Sequence, residues 1–141
     1  MQNQETENKN QEIAEQINDI KVKVHFTYIE AIKQADSKFS NLEYPVDMNL
    51  GEATHKLDGT AVMRFSLRVA TNPQVAVFAV KGEAILKGST EKMQKALIPE
   101  KNSPPPIWME IYKEAISTIS FISRFLDIPP PPITANIKTE D

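Results

Sequence analysis

Ile20, Val22, Val24, Phe26 and Tyr28 alternate with Lys21, Lys23, His25 and Thr27. A period of two is what an extended strand needs to bury one face and wet the other. The same period returns in three further runs. Tyr44, Val46, Met48 and Leu50 alternate with Pro45, Asp47, Asn49 and Gly51; Pro45 cannot donate to a ladder and belongs at a strand start or on an edge. Ala61, Met63, Phe65, Leu67 and Val69 face one way against Arg64, Ser66 and Arg68. The fourth run, Val75 to Lys87, puts Ala76, Phe78, Val80, Gly82, Ala84 and Leu86 on one face. Val75, Val77, Ala79 and Ile85 then add apolar groups to the other, broken by Lys81 and Glu83. A strand apolar on both faces should be covered on both.

Turn chemistry separates these runs. Asp58-Gly59 predicts a tight hairpin, because both residue types tolerate positive φ, and Asn72-Pro73 marks the next reversal. Ala31 to Asn41 reads as a polar connection with Phe39 as an anchor. The period then changes. Glu91 to Ile98 suits a short helix stopped by Pro99, and Pro106 is placed to start a second one. Trp108, Ile111, Tyr112, Ala115, Ile119, Ile122 and Leu126 follow three- and four-residue steps, with Met109, Ile116 and Phe125 widening the apolar arc. Pro129 to Pro132 end that helix and favour an extended polyproline segment.

The expected fold is therefore α+β: a four-stranded antiparallel sheet with a long C-terminal helix packed on one face. A chain of 141 residues with 40% hydrophobic content suits one core, without a metal or disulfide to hold it. Residues 1–18 read as a polar tail, with a weak helical stripe of Ile13, Ala14 and Ile17; 19–133 form the domain, and 134–141 a short polar tail. The polar N-terminus predicts no secretory signal, and no apolar run reaches the ~20 residues of a membrane span. The cytoplasm is the expected location.

Catalytic chemistry has little to build on. There is no cysteine, so thiol nucleophiles and thiolate metal sites are excluded. His25 and His55 are separated, on a polar strand face and near a turn, which does not suit a metal centre. No nucleophile elbow, P-loop or dinucleotide fingerprint occurs, and Asp47 and Glu52 fit the wet side of a strand and its end. A net charge of −3 and a pI near 5.5 argue against a general nucleic-acid binder. What remains is surplus apolar surface, on the second face of the fourth run and on the broad helix arc. Such surplus predicts an oligomer interface or a ligand groove. The chain reads as a binding protein with no cofactor, and not as an enzyme.

The order of parts resembles the SecB family of protein-export chaperones over residues 19 to 133. The run Tyr44-Pro45-Val46-Asp47-Met48-Asn49-Leu50, then Asp58-Gly59 and Val62-Met63-Arg64-Phe65-Ser66-Leu67-Arg68-Val69, is similar to the family's second and third strands, with Leu67-Arg68-Val69 matching their core. Val75 to Leu86 resembles the fourth strand, and Ile107 to Pro131 the long helix and Pro-rich chain after it. The resemblance implies helices on one sheet face, dimers pairing into a tetramer, and unfolded or partly folded polypeptides bound in long apolar grooves. It places Val46, Met48, Leu50 and Trp108 along a client groove, and Phe78, Val80 and Gly82 near a subunit contact. The C-terminal Ile137-Lys138-Thr139-Glu140-Asp141 departs from the tail by which the family contacts its secretion motor, and Arg64 and Arg68 dilute its acidic face. Export is thus one expected role, and service to a dedicated partner, such as an antitoxin, is the other.

Overall fold

A computed structural model describes residues 20–36, 41–99 and 101–132. Among these residues five strands form one antiparallel sheet: β1 (Lys21–Lys33), β2 (Val46–Leu50), β3 (Thr54–His55), β4 (Thr60–Ala70) and β5 (Ala76–Lys87). Two helices follow, α1 (Thr90–Leu97) and α2 (Pro106–Phe125). The strand order is β1-β5-β4-β2, with β3 also paired to β4. The α+β class with a C-terminal helix is as expected; β3 is an addition to the four predicted strands. Two residues long, it is too short to leave a periodic signal. The weak helical stripe of residues 11–18 and the anchor at Phe39 lie outside the described residues.

Each turn uses the chemistry its residues offer. At the β3–β4 hairpin Gly59 has φ +83°, and the Asp58 carboxylate accepts from Thr60 N at 3.1 Å and Thr60 Oγ1 at 2.6 Å. Between β4 and β5, across a cis Asn72-Pro73 bond, buried Thr71 turns its hydroxyl back on the chain. Its Oγ1 accepts from the amides of Val75 at 2.8 Å and Ala76 at 3.0 Å, so the reversal buries no orphan donors there.

Helix α1 is capped by Ser89, whose side chain accepts from Lys92 N, and it buries Met93 and Ala96. Helix α2 begins on Pro106, where the missing N–H costs nothing. It ends in a Schellman motif. Asp127 takes a left-handed φ of 54°, its amide donates to Arg124 O, and the amide of Ile128 donates to Ser123 O. Ile128 is itself buried, which pins the end of the helix to the core before Pro129.

The core lies between α2 and one face of the sheet. Ala61, Met63, Phe65, Leu67 and Val69 of β4 join Ala76, Phe78, Val80, Ala84 and Leu86 of β5 against Ile107, Ile111, Tyr112, Ala115, Ile116 and Ile119. The buried sets are those that periodicity picked out, because burial rewards one face of each element at a time.

Strand β1 departs from the expected pattern. It runs on to Lys33 rather than ending near Tyr28, and its register to β5 shifts between Phe26 and Tyr28. The bulge at Thr27 reverses the alternation. Val22, Val24 and Phe26 face the helix side opposite Leu86, Ala84 and Gly82; beyond the bulge Ile29 and Ala31 take that side opposite Val80 and Phe78. Tyr28 therefore leaves the apolar set to which its spacing assigned it. It lies opposite Lys81, whose ammonium sits 5.4 Å from the centre of its ring.

Candidate functional site

Two edges and one face of this sheet are left to act on other molecules. The first is the β2 edge on the helix side. Val46, Met48 and Leu50 pair with Val69, Leu67 and Phe65 of β4, so all three lean toward the core. They are half-buried, packed against the core from its margin, with Leu42, Tyr44, Ala53, Trp108 and Leu126 in the same position. Trp108 stacks on buried Tyr112 at 5.0 Å with the rings 9° from parallel, which fixes the indole while leaving part of it accessible.

The chain after the helix is tied to this margin, because the Tyr44 hydroxyl donates to the carbonyl oxygen of Pro129. Burial raises the Tyr44 phenol above its ordinary pKa, so it remains a donor at neutral pH. The extended stretch expected of Pro129 to Pro132 is thereby anchored, with Pro131 buried. The rim is thus apolar side chains on an edge strand, Met among them, whose outer backbone meets no further strand among the described residues. An apolar rim beside an open strand edge can take an extended polypeptide through side-chain pockets and main-chain hydrogen bonds.

Phe78, Val80 and Gly82, expected near a subunit contact, are all buried within the protomer. Phe78 and Val80 are each 1% exposed and point beneath α2, so their side chains are used within the protomer. Gly82 serves a close approach inside the sheet. It lies between Phe26 of β1 and Phe65 of β4, whose rings meet edge to face at 5.9 Å. A Cβ on Gly82 would come within 2.1 Å of the His25 carbonyl oxygen and 3.0 Å of the Phe65 ring. The physical reason for this burial is parity: even-numbered residues of β5 face the helix, and its odd-numbered residues face away.

That other side, the open face, has no helix over it among the described residues. Its rows read Lys21, Lys87, Thr60; Lys23, Ile85, Val62; His25, Glu83, Arg64; Tyr28, Lys81, Ser66, Asn49; Glu30, Ala79, Arg68, Asp47; and Ile32, Val77, Ala70. Arg64 and Glu83 form an ion pair at 3.8 Å. Tyr28 is 41% and Ile32 45% exposed along the outer strand, and Val77 is covered. Sequence reasoning missed Tyr28 here because a bulge has no residue signature at Thr27.

Among the described residues no group of three or more His, Asp or Glu side chains could hold a metal ion, and no helix is long and apolar enough to cross a membrane. His25 faces Glu83 across β1 and β5, while His55 lies in β3, beyond β4. On α2 the exposed rings of Phe121 and Phe125 pack edge to face at 5.3 Å.

No protein-family model matches the chain, and no curated protein matches it. A solved structure does: the Mycobacterium tuberculosis Rv1957 SecB-like chaperone, in complex with a ChAD peptide from the Rv1956 HigA1 antitoxin. The TM-score is 0.62 at 15% sequence identity, covering 90% of this chain and 97% of that one. At this identity the likeness is one of fold: by TM-score and coverage the chain has a SecB-like fold.

Proposed function

We propose that this protein is a SecB-like chaperone that binds non-native or extended polypeptide segments, without catalysis or a cofactor, along the apolar rim of Val46, Met48, Leu50 and Trp108. The observation that carries the reading is this rim: half-buried apolar side chains on an edge strand, with a stacked tryptophan held beside the core. Side chains of this kind tolerate many sequences, since Met and aliphatic groups adapt in shape and make no directional demand. The similar solved structure, a chaperone holding an antitoxin-derived peptide, supports polypeptide binding on this scaffold. It also favours the second reading, in which the client is one dedicated partner such as an antitoxin. A role in export, with transfer to a secretion motor, is the less supported alternative.

Assembly belongs to the same proposal. The open face of β5 keeps Ala79 and Ile85 half-exposed, and β1 presents Tyr28 and Ile32, which fits a dimer or tetramer in the cytoplasm. The solution mass, measured by light scattering, tests this directly; a monomer at all concentrations removes it.

Met48→Asp tests the rim. A carboxylate there should weaken binding of an unfolded protein or a hydrophobic peptide by about tenfold or more, roughly 1.4 kcal/mol, and reduce suppression of its aggregation. Circular dichroism and the melting temperature establish that the fold survives. An unchanged affinity in a folded variant takes β2 out of the binding surface. A wild-type chain that neither binds unfolded protein nor delays its aggregation ends the general-chaperone reading and leaves the dedicated one.

A further inference from the structure

In an antiparallel ladder, residues whose main-chain groups face the partner strand alternate with residues whose groups face away. Two anchors fix which are which along β2. Just before it, Glu43 and Asn72 exchange both N–H···O bonds at 2.9 Å, and just after it the Gly51 amide donates to Arg64 O at 2.7 Å. The register between these points is unbroken, with Val46 to Leu50 opposite Val69 to Phe65. Odd-numbered residues therefore turn their main-chain groups to β4, while Val46, Met48 and Leu50 turn theirs to the open edge. These are the same three residues whose side chains form the rim. The free main-chain groups of the edge and its apolar side chains thus act together.

We propose that the client adds to β2 as an antiparallel strand with every second residue apolar, in a register that the main chain of Val46, Met48 and Leu50 fixes. This deepens the reading above and rests on it. A client residue opposite each of the three exchanges two main-chain bonds with it and puts its own side chain on the rim, because directly paired residues share a face. The residues between them lie beside exposed Asp47 and Asn49, where polar side chains fit. The two edges of the sheet differ in the way this requires. Strand β1 carries Lys21, Lys23, Lys33 and the bulge at Thr27, devices that discourage strand addition. From Val46 to Leu50 there is no lysine, proline or bulge. The missing N–H of Pro45 is on the β4 side and leaves the open edge intact. Both ends of the site are closed. Tyr44 is tied to Pro129 at one end. At the other, the three steps from Gly51 to Thr54 are set against two from Arg64 to Val62, which ends the alternation.

The test uses the full chain and a short acetylated peptide of alternating leucine and threonine, flanked by lysines for solubility. N-methylation of its leucines removes the donors that face β2 and should weaken binding by about tenfold or more. N-methylation of its threonines, whose amides face solvent, should change binding by less than about twofold. In the complex, amide exchange should slow at Val46, Met48 and Leu50 and change little at Asp47 and Asn49, which are already bonded to β4. Equal losses from the two methylated sets overturn the strand register and leave the rim reading standing. So does a greater loss from the threonine set, which a parallel strand gives, or unslowed exchange at Val46, Met48 and Leu50. An unmodified peptide that does not bind, and shifts neither Met48 nor Trp108 resonances, overturns the rim reading and this inference together.

Discussion

The two sides of the sheet are built from the same strands and obey different rules. On the helix side β4 and β5 contribute an unbroken apolar set, closed by α2 to almost complete burial. On the open side the alternate residues of the same strands are lysines, arginines and glutamates with small apolar groups between them. Only the first is a core. The second is a surface with a charge sign of its own, held in register by the core beneath it. Strand β5 is the hinge of this comparison, because it is central and apolar on both sides, and the fold assigns its two faces to different tasks.

Breaking the core side should cost most. Phe78→Ala leaves a cavity under α2 and should destabilise the protein by about 3–5 kcal/mol, whereas Ile32→Ala on the open side should cost less than about 1 kcal/mol. Urea denaturation of both variants measures the gap. Comparable losses would mean that the open face is buried in solution by a second copy.

A smaller effect is expected where the two sides meet. Gly82→Ala pushes a methyl against the His25 carbonyl and the ring of Phe65, and should cost about 1–3 kcal/mol through displacement of β1. Amide exchange should accelerate first in β1 and the facing half of β5. Uniform acceleration would mean that β1 is no more separable than the rest of the sheet.

The smallest effect concerns the hairpin that feeds β4 into both faces. The hydrogen bonds from Thr60, first the hydroxyl and then the amide, hold the Asp58 carboxyl below the usual carboxylate range. A depressed folded value means that this contribution is present above the unfolded pKa and is lost as pH falls through the folded one, below about pH 4. A carbon-detected titration of Asp58 should give a midpoint lower than that of a model peptide. A midpoint at or above the peptide value would show the turn bonds to be absent in solution.

Much of this architecture was legible in the residues. The alternation of β4 and β5, the Asp58-Gly59 hairpin, Pro106 at the helix start and the apolar stripe of α2 are local signals, and each survives in the structure. Val46, Met48 and Leu50 also read as one face of one strand, and they are. Their half-buried state was not legible, since periodicity marks which side chains share a face but not how much of that face another element covers. The same limit applies to Phe78, Val80 and Gly82. Their apolar character was evident, but whether it served a subunit contact or the protomer's own helix depended on which face α2 chose.

Composition and spacing by themselves determined a cysteine-free α+β chain with strands before helices, a wide apolar helix arc and a fourth run apolar on both faces. Those properties follow from the residue period, which is a local quantity. Tertiary structure alone decided the bulge at Thr27, the two-residue strand β3, the aromatic pair across Gly82 and the gathering of six cations on one side of the sheet. Strand β3 is too short to carry a period, and the other three depend on register between strands far apart in sequence. Register is set by the packing of the whole core, which no single run of residues encodes.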